Sequence, residues 1–99
     1  MIEVRQTSKF SEWFMGLRDT RAKARIAVRI DRLALGNPGD VKSVGEGVSE
    51  LRITYGPGYR LYYVQRGDRL VILLCGGHKG SQRRDITAAR VLAKELEDE

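Results

Sequence analysis

The chain is poor in the residues from which covalent or metal-held scaffolds are built. Among its 99 residues there is one cysteine, Cys75, and one histidine, His78. A lone cysteine forms no internal disulfide, which argues against the stapled scaffold of a small secreted protein. One cysteine and one histidine do not supply a zinc site of the usual thiolate and imidazole kind. The longest apolar run, Leu70 to Cys75, falls far short of the ~20 residues that span a bilayer. Arg5 and Lys9 interrupt the N-terminal stretch, so no apolar signal core is read there and cytoplasm is the expectation. Nucleotide and hydrolase signatures are missing as well. No Gly-Lys-Ser/Thr stands at Walker spacing, Gly56-Pro57-Gly58 lacks the third glycine of a dinucleotide fingerprint, and no serine sits in a nucleophile elbow. No acidic cluster suggests a magnesium-dependent nuclease. Neither a cofactor nor a metal is expected.

Acid is scarce too. Eighteen Lys and Arg stand against thirteen Asp and Glu, and the sequence pI is near 9.7. Four of the acids (Glu95, Glu97, Asp98 and Glu99) fall in the last five residues, which leaves the first 94 with all eighteen basic groups and nine acidic ones. Such a domain attracts polyanions through its field alone. RNA is the first choice, with DNA, an anionic membrane surface or an acidic protein as other takers.

The length suits one domain over residues 1–99, and 41% hydrophobic residues favour a globular fold. Ile2 to Gln6 alternates as a first strand does. Thr7 or Ser8 caps a helix carrying Phe10, Trp13, Phe14 and Leu17, and Asp19 or Thr20 caps a second with Ala22, Ile26, Ile30, Leu33 and Ala34 as its stripe. Gly36 stops it. Val41 to Val44 is a short strand candidate that Gly45-Glu46-Gly47 breaks. Val48 to Tyr55, Tyr59 to Gln65 and Arg69 to Cys75 read as three strands joined by the tight turns Gly56-Pro57-Gly58 and Arg66-Gly67-Asp68. The last of them, nearly all apolar, reads as a central strand buried on both faces and ended by Gly76-Gly77. A final helix opens at Ser81 or Asp85 with Ile86, Ala89, Leu92, Ala93 and Leu96 inward; its acidic end opposes the helix dipole, so fraying is expected there. The expected fold is α+β, in the order β-α-α-β-β-β-α: an antiparallel meander with helices covering one face and the other partly open.

The basic and aromatic residues of the second half are the candidates for chemistry. Alternation puts Arg52 on the polar face of its strand and Arg60 and Tyr62 together on the next, so the two arginines converge across the hairpin. Gly76-Gly77-His78-Lys79-Gly80-Ser81-Gln82-Arg83-Arg84 follows, where glycine amides are able to form an anion nest ringed by Lys79, Arg83 and Arg84. Taken singly, each feature also has a plain reading: solvated strand arginines, a loop histidine, tyrosines that pack as strand formers, and Cys75 and Trp13 as core. The plain reading is weakest for Lys79, Arg83 and Arg84, because cations at a helix N-terminus are unfavourable. The basic face of the second helix (Arg18, Arg21, Lys23, Arg25, Arg29, Arg32) reads as a solvated surface or a partner surface.

Four segments together, Ser43-Val44-Gly45-Glu46-Gly47-Val48-Ser49-Glu50-Leu51-Arg52-Ile53, Tyr55-Gly56-Pro57-Gly58-Tyr59-Arg60, Val71-Ile72-Leu73-Leu74-Cys75-Gly76-Gly77-His78-Lys79 and Gln82-Arg83-Arg84-Asp85-Ile86, resemble the signature of the RelE/ParE toxin superfamily, nearest to its HigB-like addiction-module-killer branch. The resemblance runs through essentially the whole chain. It implies the RelE-like, microbial ribonuclease-like fold and the toxin of a type II toxin–antitoxin pair. It implies a ribosome-dependent, metal-independent mRNA endoribonuclease in which the ribose 2′-oxygen attacks the adjacent phosphate. By carry-over, Arg60 contacts the scissile phosphate, Arg52 holds RNA or assists proton transfer, Lys79 stabilises phosphate or leaving group, and His78 is the local acid or base. Lys42, Tyr62, Gln82, Arg83 and Arg84 are the expected RNA contacts. RelE-type enzymes often carry a tyrosine in the final segment; Asp85 or Ile86 stands there instead, and no tyrosine follows Tyr63. The implied partners are a helix-turn-helix, HigA-like antitoxin, the ribosome with its mRNA, and operator DNA through the antitoxin complex alone, with no membrane. A ParE-like gyrase inhibitor and a non-catalytic nucleic-acid-binding module are the alternatives.

Overall fold

The computed structural model describes residues 1–97, so Asp98 and Glu99, where fraying is expected, lie outside the described residues. The chain runs β1 (Glu3–Gln6), α1 (Ser8–Met15), α2 (Thr20–Ala34), β2 (Val41–Ser43), β3 (Val48–Ile53), β4 (Tyr59–Arg66), β5 (Leu70–His78), a 3₁₀ turn (Lys79–Ser81) and α3 (Gln82–Glu97). The helix starts form where side-chain acceptors meet free amides. Thr7 Oγ1 accepts from Phe10 N, and the Asp19 carboxylate accepts from Arg21 N and Ala22 N.

Five strands make one mixed sheet in the order β1-β5-β4-β3-β2. The meander β3-β4-β5 is antiparallel as expected, while β1 lies parallel along β5. Val41–Ser43 joins as an edge strand, so the order is β-α-α-β-β-β-β-α, with one strand more than the sequence reading counted. This is a small α+β fold with a five-stranded mixed sheet and three helices, compatible with a RelE-like fold.

The helices cover both faces of the sheet instead of one. Phe10 of α1 and Ala22, Ile26 and Leu33 of α2 pack with Leu51, Leu61 and Leu73 on one side. Ala89 and Ala93 of α3 pack with Val48, Tyr62, Leu74 and Cys75 on the other. The apolar run of β5 explains this: a strand apolar on both faces demands cover on both. A bulge helps to distribute it. Tyr62 faces Cys75 and Tyr63 faces Leu73, so Leu74 is the extra residue, and Leu74 and Cys75 both join the α3 side. Cys75 is a small core hydrophobe, 2% exposed, and burial pushes its thiol up to about 11.

Gly76 and Gly77 do not end β5. They pair with Leu61 and Arg60 inside the ladder, and the strand continues to His78. Their role is steric. A Cβ on Gly76 would overlap the Trp13 ring, and one on Gly77 would overlap the Asp85 carboxylate. α1 thus presses on one face of the strand and the start of α3 on the other, at consecutive residues. Gly76→Ala should cost roughly 1–3 kcal/mol by overpacking, read in urea titrations of the single tryptophan's fluorescence or of circular dichroism. In a Trp13→Leu background, followed by circular dichroism, the added cost should shrink, because the two residues share one space.

Candidate functional site

The register across the α3 side of the sheet puts the candidate residues in rows. In one row Lys42 of β2, Glu50 of β3, Tyr62 of β4 and Cys75 of β5 follow one another; in the next, Arg52, Arg60 and Gly77 do. Arg52 and Arg60 are therefore direct cross-strand neighbours, as the alternation of both strands implies. Two like charges placed directly opposite are unfavourable unless something neutralises one of them.

Glu50 does so. Its side chain is fully buried, and three donors surround it: Arg52 Nε at 2.9 Å, the Tyr62 hydroxyl at 2.9 Å and Gln82 Nε2 at 2.8 Å. Burial alone would push the Glu50 carboxyl up. The hydrogen bonds from Arg52, Gln82 and Tyr62 outweigh it and hold the carboxyl below its ordinary range. The Arg52 guanidinium is raised in return, chiefly by its bond to Glu50. Sequence reading passed over Glu50 as one more residue of a polar strand face. A signal was present, since the hairpin register that joins Arg52 to Arg60 also joins Glu50 to Tyr62.

Arg60 is left without such a partner. Its Nε is the one buried side-chain nitrogen or oxygen among the described residues that finds no hydrogen bond, and buried donors rarely go unpaired. Lys79 stands close by: its Cβ and Arg60 Nη1 both lie within 4 Å of the point where a Cβ on Gly58 would be. Gly58, at φ +79°, makes the turn that brings the two residues near each other.

His78 stands apart from this row. Its register partner is Tyr59, one residue beyond Arg60, and its exposed ring folds over the 3₁₀ turn, where Nδ1 accepts from Gly80 N at 3.1 Å. It lines a shallow depression with Gly80, Ser81, Arg83, Arg84 and Thr87. Both arginines are exposed, and Arg84 Nε is 3.9 Å from the Asp85 carboxylate. Of the glycines expected to shape an anion nest between Gly76 and Arg84, Gly76 and Gly77 belong to the strand ladder instead.

Two of the expected RNA contacts point inward. Tyr62 is fully buried and offers no ring face to a base. Its burial and its bond to Glu50 push the hydroxyl far above the usual phenol range, so it stays protonated and serves as a donor. Gln82 is half-buried with its amide bound to Glu50. Lys42 is exposed on the edge strand. Asp85, which with Ile86 stands near the family's tyrosine position, accepts from Ser81 Oγ at 2.5 Å over Gly77. Among the described residues no three His, Cys, Asp or Glu side chains gather as metal ligands would, and no helix is long and apolar enough to cross a membrane.

Tyr62→Phe removes a donor to a buried carboxylate and should cost roughly 1–3 kcal/mol at pH 7. The sign with pH follows from the lowered Glu50 carboxyl. A depressed carboxyl adds stability that is full above its unfolded value and is lost as pH falls through the folded one. Wild type should therefore lose stability as pH drops below the ordinary carboxylate range, and the gap to Tyr62→Phe should narrow there. Urea midpoints measured from pH 7 down to pH 3 read both; a gap that stays constant would count against the network.

The chain matches the family model "Phage derived protein Gp49-like (DUF891)" over residues 12–96. It is 50% identical over 95 residues to an uncharacterized protein of Haemophilus influenzae, covering 96% of each chain. Its fold is similar to the solution structure of a conserved hypothetical protein from Helicobacter pylori, with a TM-score of 0.51 and 22% identity, over 81% of this chain and 97% of that one. With 85 of its residues inside the family model, the chain belongs to the Gp49-like phage-derived family, a RelE/HigB-type family of toxins from toxin–antitoxin pairs, and a member of such a pair has an antitoxin for its partner.

Proposed function

We propose that this toxin is of the HigB-like branch and is a ribosome-dependent mRNA endoribonuclease, needing no metal, that arrests translation in the cytoplasm. The observation that carries the reading is the unpartnered, buried Nε of Arg60 beside an arginine whose charge Glu50 already balances. A guanidinium with a free donor in a half-enclosed site fits a phosphate oxygen. In this reading the ribose 2′-oxygen attacks the adjacent phosphorus, the bond to the 5′-oxygen breaks, and Arg60 and Lys79 face the charge that builds on the phosphorane. Arg52, held by Glu50, is a positioning cation in the same row.

His78 suits the donor half of the proton transfers. Its Nδ1 lone pair is engaged by the Gly80 amide, so the neutral ring carries its proton on Nε2, away from that contact. Protonated on Nδ1 as well, with the Gly80 contact opened, the ring is an imidazolium that delivers its Nε2 proton to the leaving 5′-oxygen and is left neutral, while the 2′-hydroxyl proton passes to water. Lys42, Arg83 and Arg84, all exposed, supply the salt-dependent grip on the mRNA backbone. The antitoxin in this reading is a helix-turn-helix protein of the HigA kind, and operator DNA is met only through the complex.

Primer extension on a defined mRNA in a purified translation system tests the reading. Wild type should cut within codons only when ribosomes are present. Arg60→Ala should abolish the cuts, and Arg60→Lys should lose at least about tenfold, since an ammonium keeps the charge without the planar fork of donors. Growth arrest without any cleavage would overturn the nuclease reading and direct attention to gyrase.

A further inference from the structure

A groove lined by four arginines lies away from Arg60. It lies on the other side of the sheet, between the outer surface of α2 and the end of β3. This groove of about 620 Å³ is lined by Arg21, Arg25, Arg29 and Arg32, with Val28 and Ile53 among its apolar walls. Arg21, Arg25, Val28 and Arg32 recur at helical spacing and form one stripe along α2. Ile53 belongs to the α1 and α2 side of the sheet, whereas Arg52, Arg60 and Gly77 share the α3 side.

The four arginines have different roles. Arg29 is structural: its guanidinium donates to the Arg52 carbonyl at 2.7 Å and the Pro38 carbonyl at 3.0 Å, tying α2 to the β2–β3 region. Arg25 is held in place over the Tyr55 ring, 4.6 Å from its centre. Arg21, Arg25 and Arg32 have no carboxylate partner among the described residues. Arg21 also sits in the first turn of α2, where no acid stands beyond the capping Asp19, whose carboxylate is taken by the Arg21 and Ala22 amides, and where the helix dipole disfavours a cation. The helix dipole accounts for Arg32, in the last turn of α2, but not for Arg21.

We propose that the groove is the docking site for the antitoxin, which presents to it an acidic helix or extended segment bearing at least one apolar side chain. The proposal rests on the toxin reading of the family. Charge complementarity identifies the occupant as acidic. Val28 identifies it as protein: it is 47% exposed in the middle of the arginine stripe, and an RNA backbone has no group that gains by covering it. Arginines framing an apolar centre match the composition of protein interface cores, in which a few anchored residues carry most of the affinity. Docking here occupies the face opposite the Arg60 row, so recognition by the antitoxin and phosphate binding use separate residues.

The test co-expresses the chain with the product of the neighbouring gene of its operon and measures three things: growth, co-purification, and affinity of the purified pair. The variant is Arg21→Glu/Arg25→Glu/Arg32→Glu, with circular dichroism as the folding check. Val28→Asp, a single exposed change, gives the same readings should the triple variant not fold. The expected result is a variant that still arrests growth alone, is no longer rescued by the antitoxin, and binds it about a hundredfold more weakly. Rescue and affinity at wild-type levels would overturn the proposal. Lost toxicity with antitoxin binding intact would also overturn it and assign the groove to RNA. If wild type causes no arrest, the toxin reading fails, while the affinity comparison still decides whether the groove is the dock.

Discussion

The packing of two helices onto consecutive glycines of β5 is the constraint on which the rest depends. Trp13 presses against Gly76 from one side of the sheet and Asp85 closes over Gly77 from the other. Any side chain at either glycine would push a helix away. With α1 and α3 seated at that depth, α3 begins directly above the Glu50 row, and its first residue, Gln82, reaches the Glu50 carboxylate. The position of α3 thus decides whether the buried acid is satisfied, and the buried acid decides what the arginines can do.

Glu50 illustrates how magnitudes select a site. Taking one carboxylate out of water costs several kcal/mol even after relaxation. Each hydrogen bond to a charged group returns about 1.5–3 kcal/mol, and Glu50 has three. The two sums are comparable, so the acid survives there with little net gain to stability. What it changes is electrostatic order. Of two adjacent arginines, one is neutralised and oriented, and the other keeps both its charge and an unpaired Nε. The local field stays positive where an anion would enter, without the full repulsion of two bare guanidiniums.

The two basic surfaces differ in the same physical terms. On the α3 side, Arg60 is half-enclosed with a donor awaiting an acceptor, an arrangement suited to one phosphate group. On the α2 side, exposed arginines frame an exposed valine, an arrangement suited to a segment with charge and apolar surface together. Opposite faces of one thin sheet keep these tasks apart, while Arg29, which donates a hydrogen bond to the Arg52 carbonyl, links them.

Much was legible from residues alone wherever the information is local. The helix caps at Thr7 and Asp19, the stripes of α2 and α3, and the facing of Arg52 and Arg60 follow from periods of 3.6 and 2 and from turn glycines. The basic balance and the shared motifs point to the toxin family without coordinates. Long-range placement was not legible. The parallel seat of β1 on β5, the cover on both faces, and the Leu74 bulge depend on which distant elements pack together, and no local period encodes that. For the same reason Gly76-Gly77 reads as a loop in the sequence but serves in the fold as a strand thinned for close packing. Tyr62 and Gln82 read as surface groups but close on Glu50, because burial is a property of neighbours brought from elsewhere in the chain. The sequence by itself determined most of the elements, the charge and the family; only the tertiary structure decided which polar groups are enclosed and which one, Arg60, is left with a donor to give.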